Sequence, residues 1–228
     1  MSIHIPLGDA IDLTQTIENG MTTYVGDAVP RVSKFKRLSK DGVNLSVMTL
    51  GSHTGTHVDA PVHFVKGGKA LDQLSAESFV GEGKVLDFSD KPAGSAIDES
   101  DLQSHRAEIS RGDIVLLYTG LSKKWGDERM RKKITYLTGG AAQWLVDRGA
   151  KAVGIDYLSV EKFGATVPAA HFTLLSHGVP IIESLSANLA KLVGRRFLLV
   201  CLPIKVGGCD GAPARAIAYP LNNRETRN

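Results

Sequence analysis

The chain has 228 residues, 43% of them hydrophobic and 22% charged, with a formal net charge of +3. That composition suits a globular α/β protein with a sizeable core, expected as one domain over residues 1–228. The one basic run, Lys123-Lys124 with Arg129 to Lys133, reads as a solvated face, so nucleic acid is excluded as an expected partner. No segment reaches the ~20 apolar residues of a membrane span, and the first ten residues lack a basic stretch leading into a long apolar one. No membrane contact is expected, and the cytoplasm is the expected location.

In chain order, residues 31–36 read as a half-exposed strand and 43–50 as an alternating one that runs into a histidine-rich segment. Residues 84–88 read as a strand after a Gly81-Glu82-Gly83 turn. The acidic start of 98–105 suits a helix N-terminus. A helix over 141–148 has Thr138 as its cap, Gly149 as its stop and an apolar stripe at Ala141, Trp144 and Leu145. Residues 171–178 form a short helix ended by Gly178. The apolar runs 114–118, 152–155, 179–182 and 197–200 read as strands buried on both faces. Strands dominate the first part and alternate with helices later, which predicts α/β. Cys201 lies in an apolar run and Cys209 in a Gly-rich loop, without CxxC spacing, so neither a disulfide nor a zinc ribbon is expected.

The segment 51–64 carries the chemistry. It places His53, His57, Asp59 and His63 at odd positions within eleven residues. An extended strand would aim all four to one face, with Phe64 on the other. Imidazole and carboxylate together are ligands for zinc, manganese or iron. Burying four such groups without a cation would strand many polar atoms. Asp59 has two oxygens and can bridge two ions, with His171 and Glu183 as candidate ligands of the second. His4, His105, His177 and Asp156 read as structural. Tyr24 and Phe35 are candidates to lie over the site and stack on an aryl ring.

The run His53-Thr-Gly-Thr-His57-Val-Asp59-Ala-Pro-Val-His63 resembles the signature of the cyclase-like metal-dependent hydrolases, which include bacterial kynurenine formamidase and isatin hydrolase. The likeness begins at Asp12-Leu-Thr and Asn19 to Asp27. It continues through Gly154 to Ser159, His171, Glu183, Leu202 to Lys205 and Asp210 to Arg215. It implies a swivelling β/β/α domain, a homodimer, and one or two divalent ions, Zn²⁺ or Mn²⁺, per subunit. By resemblance His53, His57 and Asp59 hold the first ion, while Asp59, His171 and Glu183 hold or bridge to the second. His63 then moves protons rather than binding metal. The implied activity is hydrolysis of an amide C–N bond in a small molecule, N-formylkynurenine to kynurenine and formate, within tryptophan catabolism. The alternatives are a cyclic amide such as isatin or, outside enzymes, a metal-carrying binding protein. Where kynurenine formamidases of this type carry a pocket tryptophan, this chain has Tyr24.

Overall fold

The computed structural model describes residues 10–221. The first elements are β1 (Ile11–Asp12), β2 (Arg31–Lys36), α1 (Leu38–Asp41), β3 (Leu45–Thr49), β4 (His57–Asp59), β5 (Val80–Asp87), β6 (Ala96–Ile97) and α2 (Glu99–Gln103). They are followed by β7 (Ile114–Tyr118), β8 (Tyr136–Leu137), α3 (Gly139–Asp147), β9 (Ala152–Ile155), α4 (Ala169–Ser176), β10 (Ile181–Glu183), β11 (Arg196–Pro203) and β12 (Gly211–Pro220). The main sheet runs β1-β12-β11-β5-β7-β9-β10-β4, and β4 pairs back onto β12, so seven strands close on themselves. The protein is mixed α/β, as expected.

Closure divides the apolar residues between two cores. On parallel strands β5, β7 and β9, alternate side chains face opposite ways. Ile114, Leu116 and Tyr118 join Phe197, Leu199 and Ala216 inside the ring. Val115, Leu117, Val153 and Ile155 face outward and are covered by Leu145 of α3 and Leu174 of α4. The expectation of strands buried on both faces therefore holds for β7, β9 and β10. It fails for β11, where only alternate residues are buried. That strand is antiparallel to both neighbours, and Leu198, Val200 and Leu202 on its outer face stay partly exposed.

A second correction concerns Gly81-Glu82-Gly83, which lies inside β5 rather than in a turn. At Gly83 a Cβ would sit 2.6 Å from the Phe197 ring and 2.8 Å from the Ile114 carbonyl oxygen. Glycine is there for close approach between strands, not for a bend.

The helices begin where their caps allow. The Thr138 hydroxyl accepts from the Ala141 N–H at 3.1 Å, and Gly149 stops α3 in the left-handed region at φ +74. Asp98 caps α2, accepting from the Asp101 N–H at 3.0 Å, but α2 ends at Gln103, short of the expected 105. Strands β2 and β3 form a separate hairpin whose side chains are almost all exposed. Phe35 is 65% exposed on it and does not lie over the histidine segment. Among the described residues no helix is long and apolar enough to cross a membrane. Cys201 is buried, and burial pushes its thiol up to about 12, which keeps it inert.

Candidate metal centre

The histidine segment is not one strand. Only His57–Asp59 is extended; His53 sits in the preceding turn, and Pro61–His63 is a 3₁₀ turn. Gly55 takes φ +63 in the first turn, and Pro61, lacking an N–H, opens the second. Alternation therefore explains only part of the convergence. On β4, Val58 points into the closed core with Ile182 of β10. His57, Asp59 and Glu183 point the other way, toward the layer holding α4. The antiparallel register puts Glu183 directly across from His57. Ser184, next along, takes the left-handed conformation at φ 58 and turns the chain away; its N–H donates to the Tyr157 carbonyl at 2.8 Å.

His53 arrives from its turn by a different route. Across from Asp59 on β12 stands Gly211, where a Cβ would come 3.0 Å from His53 Cε1. The imidazole occupies the space a side chain there would fill. His53 Nδ1 donates to Asp59 Oδ1 at 2.8 Å, and Nε2 lies 2.9 Å from Asp210 Oδ2. The ring of His63 stacks on that of His53 at 4.1 Å, with Nδ1 3.4 Å from Asp210 Oδ2. His171, in the first turn of α4, brings Nε2 to 3.3 Å from Glu183 Oε1 and 3.5 Å from Asp59 Oδ2.

All the residues singled out in the segment are thus brought together, along with His171 and Glu183. Phe64 corrects the expectation: it does not point away. Its ring centre is 4.3 Å from that of His63 and 4.5 Å from that of His171, because a 3₁₀ turn does not alternate faces. His105, His177 and Asp156, read as structural, have partners of their own outside the cluster. His105 pairs with Glu108 at 2.8 Å and His177 Nδ1 donates to the Thr173 carbonyl. Buried Asp156 accepts from the backbone and hydroxyls of Thr119 and Ser122. His4 lies outside the described residues.

Burial opposes charge on His57, but the adjacent Asp59 and Glu183 carboxylates win and hold the imidazole up at about 10. His171 is likewise held well above the usual range, against burial, by Asp59, Glu161 and Glu183. Burial also opposes charge on Asp59, yet the imidazoles of His171, His53 and His57 around it keep it well below the usual carboxylate value. His63 behaves differently. Burial lowers it below the ordinary imidazole value, which leaves it neutral near pH 7.

The donor set fits a divalent cation. His57 Nδ1 donates to the Gly55 carbonyl at 2.8 Å, which leaves Nε2 as the atom that would give up its proton to ligate a cation. That Nε2 is buried 3.3 Å from Asp59 Oδ1 and 3.6 Å from Glu183 Oε2, with neither contact aligned as a hydrogen bond. Asp59 Oδ2 is also buried without a hydrogen-bond partner. Native interiors seldom leave such atoms unmatched. Three groups have ligand atoms within 4.8 Å of one another: His53, His57 and Asp59; His53, His63 and Asp210; and Asp59, His63 and His171.

Two residues escaped the sequence reading as parts of the site. Asp210 stands in a loop 157 positions from His53, so no local spacing gives it a role; it enters the sequence reading only as the start of the Asp210 to Arg215 stretch of the family likeness. Glu161 Oε2 accepts from the Ala170 and His171 N–H groups at the start of α4 and lies 3.5 Å from His171 Nδ1. It fixes the helix start and sets a carboxylate beside the imidazole. Glu161→Ala should weaken metal binding about 10- to 100-fold, as loss of an outer-shell partner does. A competition titration with a chromophoric chelator measures this; unchanged affinity would reduce Glu161 to a helix cap.

The cluster floors a cavity of about 330 Å³, walled by Tyr24, Phe64, Leu158 and Pro168. Tyr24 packs on Phe163 with ring centres 5.6 Å apart.

Residues 11–162 match the family model described as "Putative cyclase". The chain is 30% identical over 213 residues to a kynurenine formamidase of Bacillus cereus, covering 92% of this chain and 97% of that one. It is 31% identical to a solved predicted metal-dependent hydrolase from Bacillus stearothermophilus, with a TM-score of 0.77 over 92% of this chain and 97% of that one. Isatin hydrolase A from Labrenzia aggregata, solved with benzyl benzoate, superposes with a TM-score of 0.84 at 25% identity, covering 92% of each chain.

Proposed function

This chain belongs to the cyclase family, and from that premise we propose that it is a metal-dependent amidohydrolase acting on a non-peptide C–N bond. The first substrate is an aryl formamide, N-formylkynurenine, which is cleaved to kynurenine and formate as a step of tryptophan catabolism. Isatin or another cyclic amide is the alternative. The observation that carries this reading is the buried imidazole–carboxylate cluster opening into an aromatic-walled cavity, with a neutral imidazole at its side.

His53, His57 and Asp59 would hold one divalent ion, zinc or manganese, and Asp59, His171 and Glu183 a second. When bound, the ion supplies Lewis acidity: it lowers the pKa of water and polarises a carbonyl oxygen. The remaining steps belong to side chains. His63 presents Nε2 to the site, because Nδ1 faces Asp210. Nε2 accepts a proton from the water that adds to the formyl carbon. It returns that proton to the aryl nitrogen as the C–N bond breaks. Tyr24 and Phe64 pack on the aryl ring and set the carbonyl over the cluster.

The test is kcat/KM for N-formylkynurenine, isatin, an aliphatic formamide and an aryl ester under one metal condition. The aryl formamide should be cleaved fastest. Preference for isatin would keep the mechanism and change the substrate, preference for the aliphatic compound would end the aryl pocket, and no turnover of any would leave a metal-carrying binding protein.

The working unit is read as a homodimer of single-domain chains in the cytoplasm. The β2–β3 hairpin supports the dimer. It exposes Phe35, Leu38, Val47 and Met48 across its two faces, and a hairpin without a packed face is marginal alone. Sedimentation should show a dimer that Phe35→Glu with Met48→Glu weakens; a monomeric wild type would sink the idea.

A further inference from the structure

Two loops meet at the mouth of the cavity, and each brings an opposite charge. The first is the turn at Tyr24, where the Asp27 N–H donates to the Tyr24 carbonyl at 3.2 Å and Gly26 takes φ +103. Arg131 braces this turn, donating from Nε to the Thr23 carbonyl at 2.7 Å and from Nη2 to the Thr23 hydroxyl at 3.1 Å. The second loop carries Glu161, Lys162 and Phe163. The Tyr24–Phe163 ring contact joins the two. Asp27 and Lys162 therefore flank the same aromatic seam, and both line the cavity.

Their lack of ionic partners is informative. Neighbouring ion pairs run Arg129 to Asp127, Arg131 to Glu128 and His171 to Glu161. Asp27 and Lys162 enter no ion pair among the described residues, either with these groups or with each other. The Lys162 ammonium rests 5.9 Å from the centre of the Tyr136 ring, a weak hold for an exposed cation that an anion could replace. Glu161, by contrast, is committed to α4. An unpaired acid and an unpaired base at one cavity mouth match a ligand carrying one charge of each sign.

We propose that Asp27 and Lys162 form a subsite for a zwitterionic side arm on an aryl substrate, with its ammonium on Asp27 and its carboxylate on Lys162. The inference rests on the aryl-substrate reading above and narrows it to aryl compounds bearing an α-amino acid arm. A neutral bicyclic amide would leave both charges unused. The pairs are at the rim, so they add discrimination and encounter rate more than raw affinity, and salt screens them.

Recognition can be read without turnover by calorimetric titration of the full chain, loaded with zinc or manganese. The probes are kynurenine, which has the arm, and 2-aminoacetophenone, which has the same aryl ketone without it. Kynurenine should bind about tenfold more tightly, the sum of two exposed charge pairs. Lys162→Met and Asp27→Asn should each cut that ratio about threefold, and the double variant should bring it near unity. Lys132→Met serves as a control for the general surface field. Lys132 lies 5.5 Å from the centre of the Phe163 ring but does not line the cavity. It should move the ratio less than Lys162→Met does.

Equal binding of the two probes by the wild type, or a ratio unmoved in either single variant, overturns the paired subsite. A change as large in Lys132→Met also overturns it, because the effect is then a diffuse field. Turnover of N-formylkynurenine against isatin by the wild type judges the functional reading separately, so failure of one is distinguishable from failure of the other.

Discussion

Asp59→Asn should strip the protein of metal and of turnover together. The two carboxylate oxygens face different partners: Oδ1 lies 2.8 Å from His53 Nδ1 and 3.3 Å from His57 Nε2, and Oδ2 lies 3.5 Å from His171 Nε2. The residue is fully buried on β4 between β10 and β12, so nothing else can move into its place. Asparagine keeps the shape but removes the charge, and its amide would put a donor where cations and imidazole N–H groups sit. Losing a direct ligand should exceed the 10- to 100-fold effect of an outer-shell partner, so metal affinity should fall by more than about 100-fold. Elemental analysis of the purified variant, paired with the amide assay, reads both effects. Full occupancy with wild-type activity would remove Asp59 from the site.

His63→Ala is expected to separate chemistry from metal binding. Its turnover number should fall by roughly 10²–10⁴, the usual worth of a positioned acid–base group, while the metal stays. The imidazole is half-buried, stacked on His53 and oriented by Asp210 rather than by the deep carboxylates. Burial holds it below the ordinary imidazole value, so it is a base at neutral pH. The acid limb of the wild-type kcat/KM profile should therefore lie below about 6.5 and disappear in the variant. The rival outcome has its own geometry, since His63 also falls in groups with His53 and Asp210 and with Asp59 and His171. Metal loss matching that of His57→Ala would make His63 a ligand and leave the proton transfer to another group.

Much of the scaffold was legible because it depends on near neighbours. The apolar runs that became β7, β9 and β10 are fully buried, and the Thr138 cap and Gly149 stop bound α3. Where the reading failed, a distant contact overrode a local rule. Gly81-Glu82-Gly83 has the composition of a turn, but the Phe197 ring crossing Gly83 makes it strand. Residues 197–200 have the composition of a doubly buried strand, but closure placed them where the outer face stays partly exposed.

The same division runs through the site. The sequence by itself determined the donor chemistry: three imidazoles and a carboxylate packed into eleven residues, and the shared face of His57 and Asp59, which a two-residue repeat imposes. Only the tertiary structure decided that His53 lies over Gly211, that Glu183 stands across from His57, that Asp210 reaches His53 from far along the chain, and that Glu161 sits beside His171. It also turned Phe64 toward the histidines. Local periodicity sets which way a side chain leaves its own backbone. Which groups meet there is set by strand register and ring closure, and those are settled by burying the whole core at once.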